Sequence, residues 1–197
     1  MPALPAKGRL VVASPTLEDP NFHRSVVFLL AADGDGALGV VLNRPSETSV
    51  DEIVPYWGLH ASEPPVLFVG GPVQPNAAIC VGRTKHSDYP LGPEGTEHEL
   101  ETDGYSPLIG DLGTVDLNRA PEDIGVSFTG LRVFTGYSGW GPGQLEEEIE
   151  AGAWFVVDGS QQDVLSAEPA ALWERVLRRQ GGWLAVLARH PVDASLN

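Results

Sequence analysis

Three observations predict an α+β fold built on a mixed, strongly curved sheet. Short apolar runs recur along the chain, most of them bounded by Gly, Pro, Asn or Asp. Helical spacing is confined to short insertions and a C-terminal pair. Regular β-α-β alternation is missing, which disfavours a doubly wound parallel sheet.

Taken in order, residues 1–8 read as a flexible tail and residues 9–197 as a single domain. Leu10–Ala13 is a brief apolar strand, followed by turn chemistry over Thr16–Phe22, where Asp and Pro set a tight bend. Val26–Ala32 and Leu38–Leu42 flank Asp33-Gly34-Asp35-Gly36 and predict a hairpin with a four-residue loop. Neither strand alternates strictly, so both faces should be covered. Asn43-Arg44-Pro45 ends the second strand. A short helix over Val50–Val54 must finish before Pro55. Val66–Val69 and Ala77–Val81 are further strands, the first stopped by Gly70-Gly71-Pro72.

A polar excursion spans about 85–105, with five acids in Glu94–Asp103. Strands return near Pro107–Ile109 and Thr114–Leu117, and Pro121 is suited to the first position of a short helix. Leu131–Tyr137 is a strand that runs into a sharp turn at Gly139-Trp140-Gly141-Pro142-Gly143. Pro142 then opens a helix through about Glu150. After a strand at Ala153–Val157, a helix over Pro169–Gln180 places Leu172, Trp173, Val176 and Leu177 on one face. Gly181-Gly182 stops it, and a last short helix runs from Trp183 to about Ala188.

Composition narrows the function. The 197 residues are 42% apolar, with 23 Gly and 17 Pro, which describes a folded, turn-rich chain. Twenty-seven acids against 12 bases give a net charge of -15. Such a surface repels the phosphates of nucleic acid and anionic membranes, so direct nucleic-acid binding is disfavoured. The longest apolar run, Val26–Ala32, is far short of a membrane span. One cysteine excludes an intramolecular disulfide and fits a reducing compartment. With no secretory pattern in MPALPAKGRL, the expected location is the cytoplasm.

Gly136-Tyr137-Ser138-Gly139-Trp140-Gly141 invites comparison with a nucleophile elbow, with Asp158 or Asp163 and then His190 downstream. The spacing fails, because the G-x-S-x-G pattern needs Gly where Trp140 stands. Trp140 reads instead as a buried corner anchor. The helix start at Gly143-Gln144 could hold an anion, but Glu146, Glu147, Glu148 and Glu150 satisfy the dipole without one. The five histidines are scattered without metal-ligand spacing, so no metal or cofactor is expected. Cys80 lies in an apolar stretch and should be inert. Arg175, Arg178, Arg179 and Arg189 form a basic cluster whose first three members suit the end of a helix.

The segment Asp19–Ser25 is more suggestive. If the hairpin strands pair, it shares one end of the hairpin with Asn43-Arg44. Asp19, Arg24 and Arg44 are then expected to approach one another and share hydrogen bonds. Such a network either fixes loops or forms a polar recognition site.

At these residues the chain resembles the YqgE/AlgH family of bacterial proteins. The matching blocks are GRLVVASPTLEDPNFHRSVVFL at 8–29, GALGVVLNRPSE at 36–47, FVGGPV at 68–73, RVFTGYSGWGPGQLEEEIEAGAWFV at 132–156 and LWERVLRRQGGWLAVLARHPVD at 172–193. The resemblance implies a bifurcated sheet curled into a pseudo-barrel with flanking helices. It carries no catalytic residues and no cofactor. Its recurring polar and aromatic positions map onto Asp19, Asn21, Phe22, Arg24, Ser25, Asn43, Arg44, Gly70, Gly71, Pro72, Gly139, Trp140, Gln144 and Leu145. Many relatives carry Ala where this chain has Ser138. The AlgH name comes with a proposed role in regulating transcription. The resulting expectation is a non-enzymatic binding or regulatory protein with a protein or small-molecule partner. The alternative is a small-molecule enzyme, a hydrolase, using the Asp19/Arg24/Arg44 cluster.

Overall fold

The computed structural model describes residues 4–85 and 102–190. Most of the acidic excursion, and the first three residues of the tail, lie outside them. Strand β1 (Leu10–Ala13) leads through the 14–25 turn into the hairpin of β2 (Val26–Asp33) and β3 (Gly36–Val41). The hairpin loop is two residues rather than four, because Asp33 and Gly36 are themselves paired. Asp33 Oδ1 accepts the Asp35 N–H at 2.9 Å and closes the turn. β3 ends before Asn43-Arg44-Pro45 as expected, but Pro45 opens a new strand: β4 (Pro45–Ser49) pairs antiparallel with β5 (Val66–Val69). Between them lie α1 (Val50–Ile53) and a 3-10 turn over Pro55–His60.

β6 (Val73–Thr84) is longer than the predicted Ala77–Val81, and β7 (Tyr105–Ile109) and β8 (Leu112–Val115) follow. β9 runs from Phe128 to Trp140. The predicted turn at 139 begins two residues late, because Gly139 and Trp140 are still paired with Leu38 and Ala37. Pro142 therefore sits in the turn, and α2 (Gln144–Glu150) starts after Gly143, whose φ of +76° suits a glycine. β10 (Trp154–Val157) is followed by α3 (Gln161–Val164), α4 (Leu172–Gln180) and α5 (Gly182–Leu187). Pro169–Ala171 forms a 3-10 turn rather than the first turn of α4. α3 was not foreseen. Its start is set by Asp163, whose carboxylate accepts the Ser160 N–H and hydroxyl, each at 2.8 Å.

The sheet runs in the order β10-β1-β2-β3-β9-β6-β8-β7, with β4-β5 branching from β9. It curls into a half-barrel with helices around it, an α+β fold as expected. The branch arises because β9 has two neighbours along the same edge. Gly39–Ala37 of β3 pairs with Ser138–Trp140, while β5 runs parallel to Phe134–Thr135. Along its other edge β9 is paired with β6 from Tyr137 back to Phe128.

Burial follows the sheet. Leu10, Val12, Phe28, Val40, Phe68 and Phe134 pack with Leu172, Trp173, Val176 and Leu177, the predicted face of α4. Val11, Val27, Leu29 and Val41 point to the opposite face and pack with Trp140, Leu145 and Trp154. β1, β2 and β3 are thus covered on both sides. A third cluster holds Trp57, Tyr105, Phe128 and Leu131 around the far end of β6 and β9.

Candidate functional site

The hairpin end gathers the predicted polar residues, but not into a shared ion pair. Asp19 Oδ1 accepts the Asn21 N–H at 2.8 Å, and its main-chain oxygen accepts from Phe22 and His23. The carboxylate thus closes its own turn. Among the described residues it pairs with neither arginine. The arginines reach main-chain oxygens instead: Arg24 donates to His190, and Arg44 donates to His23 and to Asn43. Asn43 ties the two segments together: its amide donates to the Arg24 oxygen at 2.8 Å, and its side-chain oxygen accepts the Val26 N–H at 3.0 Å. Asn43 and Ser25 are buried. The physical reason is local. Short carboxylates close turns, whereas long guanidinium groups can reach carbonyls left unpaired at strand ends.

Arg24 has a φ of +52°, uncommon for a residue with a side chain. The conformation lets its guanidinium lie 4.5 Å from the Trp173 ring, so the loop is fastened to α4. Burial lowers its pKa, and Glu174 pulls the other way. Burial also lowers the pKa of Arg44.

Gly70, Gly71 and Pro72 come against this hairpin end. The Gly70 oxygen accepts both the Val41 N–H at 2.9 Å and the Ser138 hydroxyl at 3.1 Å. The approach to β9 is close enough to exclude a side chain. A Cβ on Gly70 would lie 2.4 Å from the Gly136 oxygen, and one on Gly71 would lie 2.3 Å from Tyr137. These glycines bring Pro72 and Pro75 opposite Pro20 and Pro45. The result is a groove of about 390 Å³, walled by those four prolines with Val41 and Val69, and carrying Asn21 and Arg44 as its polar groups. Of the predicted residues, Asn21, Arg44, Gly71 and Pro72 line it. Pro20, Val41, Pro45, Val69 and Pro75 were missed, although a chain with 17 prolines that puts four beside polar loops offers a readable signal.

The remaining predicted residues form a separate corner. Phe22 stacks on Trp140 at 6.2 Å and meets Trp154 edge-on at 5.4 Å. Both indole N–H groups donate to one oxygen of Glu148, at 3.0 and 2.8 Å. Gln144 donates to the other oxygen at 2.9 Å and accepts the Gly141 N–H at 3.0 Å. Leu145 is buried beneath, and Gly139 is an exposed member of β9. Trp154 was not singled out by sequence, and Glu148, read there only as one of the acids that satisfy the helix dipole, accepts from Trp140, Trp154 and Gln144. Phe22 links this corner to the 14–25 turn.

Ser138 is fully buried, inside β9 rather than on a turn, with its hydroxyl on Gly70. The elbow comparison therefore fails on placement as well as spacing. Asp163, one candidate acid, is held by two bonds from Arg179 at 2.7 and 2.8 Å. Its burial would raise its pKa, but the Arg179 and Ser160 bonds outweigh burial and hold it below the ordinary value. Cys80 is buried, and desolvation pushes its thiol pKa far up, so it carries no thiolate at neutral pH. Among the described residues no group of three or more His, Cys, Asp or Glu is placed to hold a metal. None of the described helices is long and apolar enough to cross a membrane.

The AlgH-like family model matches residues 10–185. A UPF0301 protein of Thermobifida fusca is 46% identical over 198 residues, covering 100% of this chain and 98% of that one. A UPF0301 protein of Streptomyces coelicolor is 47% identical over 190 residues, covering 96% and 94%. The crystal structure of protein DIP2367 from Corynebacterium diphtheriae superposes with a TM-score of 0.85 at 31% identity, over 95% of this chain and 94% of that one. The solution structure of the AlgH protein from Pseudomonas aeruginosa gives 0.62 at 24% identity, over 98% and 100%, a likeness of fold.

Proposed function

We propose, for a chain that belongs to the AlgH-like family, a non-enzymatic binding or regulatory role in the cytoplasm, exercised through the proline-walled groove. The supporting observation is convergence. Segments around residues 20, 44 and 72, distant in sequence, meet to form a preformed apolar trough with one guanidinium and one amide. Rigid proline rings lose little freedom when covered. The partner is a protein segment or small molecule whose apolar body lies on the prolines and whose carbonyl or carboxylate oxygen meets Arg44 and Asn21. Any regulatory effect runs through this partner and not through duplex DNA, since the chain carries a net charge of -15.

The hydrolase alternative has less support. Asp19, Arg24 and Arg44 all have main-chain partners, and the Ser138 hydroxyl donates to a carbonyl.

The test is affinity capture from lysate with the intact protein, reading proteins and retained metabolites by mass spectrometry, in parallel with Val69→Asp and Arg44→Gln. Val69 is half exposed on the groove wall, so an acid there changes the surface with little effect on folding. A partner retained by the wild type and lost from both variants is expected. Equal retention by all three proteins refutes the groove as the binding surface.

A further inference from the structure

We propose that a second cavity, bounded by α3, α4 and the middle of the sheet, binds a small molecule bearing a phosphomonoester. The cavity holds about 600 Å³, within the range of small-ligand sites, and shares no lining residue with the proline-walled groove. Arg83 from β6 and Arg175 and Arg179 from α4 line it, with Asp163 and Glu168 as the acids.

These groups are not equivalent. Arg179 and Asp163 neutralise one another in a two-bond pair, and Asp163 is almost wholly buried. They form a wall. Arg175 donates to the Ser166 hydroxyl at 2.7 Å, while its other terminal nitrogen is only 3.8 Å from the exposed Glu168 carboxylate. An exposed ion pair at that distance contributes little and yields readily to a ligand. Arg83 uses its Nε on Thr129 at 2.9 Å, and its two terminal nitrogens have no partner among the described residues. The Ser62 hydroxyl also lines the space.

Beneath the cavity lies a further cation. Arg132 is almost wholly buried in β9, without a carboxylate partner among the described residues. It donates to the main-chain oxygens of Val164 and Ser166 at 3.2 and 3.0 Å, and to that of Glu63 at 2.7 Å. It thereby clamps the two segments that carry Ser62 and Leu165–Ser166 in the cavity wall. Burial pulls its pKa down to about 10, so it stays charged at neutral pH. Three of the 12 basic residues of a chain with net charge -15 thus line a space that contains two acids, and a fourth, Arg132, lies behind its wall on the Val164 and Ser166 oxygens. The local excess is about two positive charges, which matches the roughly -1.5 to -2 of a phosphomonoester at neutral pH. Arginine forks suit phosphate oxygens, to which they donate in pairs.

The test uses phenyl phosphate as probe and benzoate as its carboxylate counterpart, titrated calorimetrically and by amide chemical shifts. Saturable phenyl phosphate binding at a Kd of about 1 mM or tighter is expected, with shifts at Leu165 and Ser166 and at least about tenfold weaker benzoate binding. Arg83→Gln and Arg175→Gln should each weaken phenyl phosphate at least about tenfold. Arg178→Gln should not, because that residue pairs with Glu174 and is not in the cavity lining. Arg83→Gln disturbs only an exposed hydrogen bond, so it tests the site even if Arg175→Gln fails to fold. Absence of saturable binding, equal affinity for benzoate, or equal loss in Arg178→Gln overturns the assignment.

Discussion

Trp140→Ala probes the corner where β9 turns into α2. The indole is 6% exposed, stacks on Phe22 and meets Trp154 at 5.8 Å. Deleting a buried large aromatic costs about 3–5 kcal/mol. The two ring contacts argue for the upper part of that range. The polar side argues for the lower part, because Glu148 keeps the Trp154 and Gln144 donors when the Trp140 N–H is lost. The half-buried Glu148 carboxylate is not left unpartnered, so about 4 kcal/mol is expected. For a chain of this size that corresponds to a fall in Tm of about 8–16 °C. Trp140→Phe keeps a ring against Phe22 and removes the bond to a charged acceptor, for a loss of about 2 kcal/mol. Urea denaturation followed by far-UV and near-UV circular dichroism measures both. A loss below about 1 kcal/mol for Trp140→Ala, with an unchanged m-value, would refute the corner as an anchor.

Ser138→Ala should cost about 1 kcal/mol in urea denaturation, the net value of one hydrogen bond, since the Gly70 oxygen keeps the Val41 N–H. Esterase activity that disappears with this hydroxyl would restore the nucleophile. Asp163 has a lowered pKa, held by Arg179 and Ser160 against its own burial. Its stabilising contribution is therefore full above about pH 4, the ordinary carboxylate value, and lost as pH falls through the lowered one. The wild type should lose more stability between about pH 7 and pH 3 than Asp163→Asn does, and parallel curves would contradict the assignment.

Much of the sheet was readable because its strands are apolar runs closed by strong turn residues. Leu10–Ala13 and Val66–Val69 match their expected bounds. β4 escaped because PSETS is polar and begins with proline, and only pairing with β5 makes it a strand. α3 escaped for a related reason: four residues carry no periodicity, and its signal is the Ser160–Asp163 spacing alone. At the site, Trp140 behaved as its size and setting required. The proposed sharing of hydrogen bonds by Asp19, Arg24 and Arg44 did not appear. Residue type shows which groups need partners, but main-chain oxygens compete for arginines as well as carboxylates do, and sequence does not display where those oxygens point. Arg83 and Arg175 lie 92 positions apart. Only the crossing of β6 beside α4 makes them neighbours of one cavity.

The branching at β9 bears on synthesis as well as shape. When the ribosome has translated as far as Ser127, β3, β5 and β6 have each been made together with one neighbour (β2, β4 and β8), yet β9, the second neighbour of all three, has not. The nascent chain then carries three apolar or half-apolar strands with open edges at once, the condition in which strands pair with the wrong neighbour. Residues 128–140 close all three together. Their position late in the message makes any pause before them a window of exposure, and a chaperone that shields strand edges should engage the nascent chain most strongly in that interval.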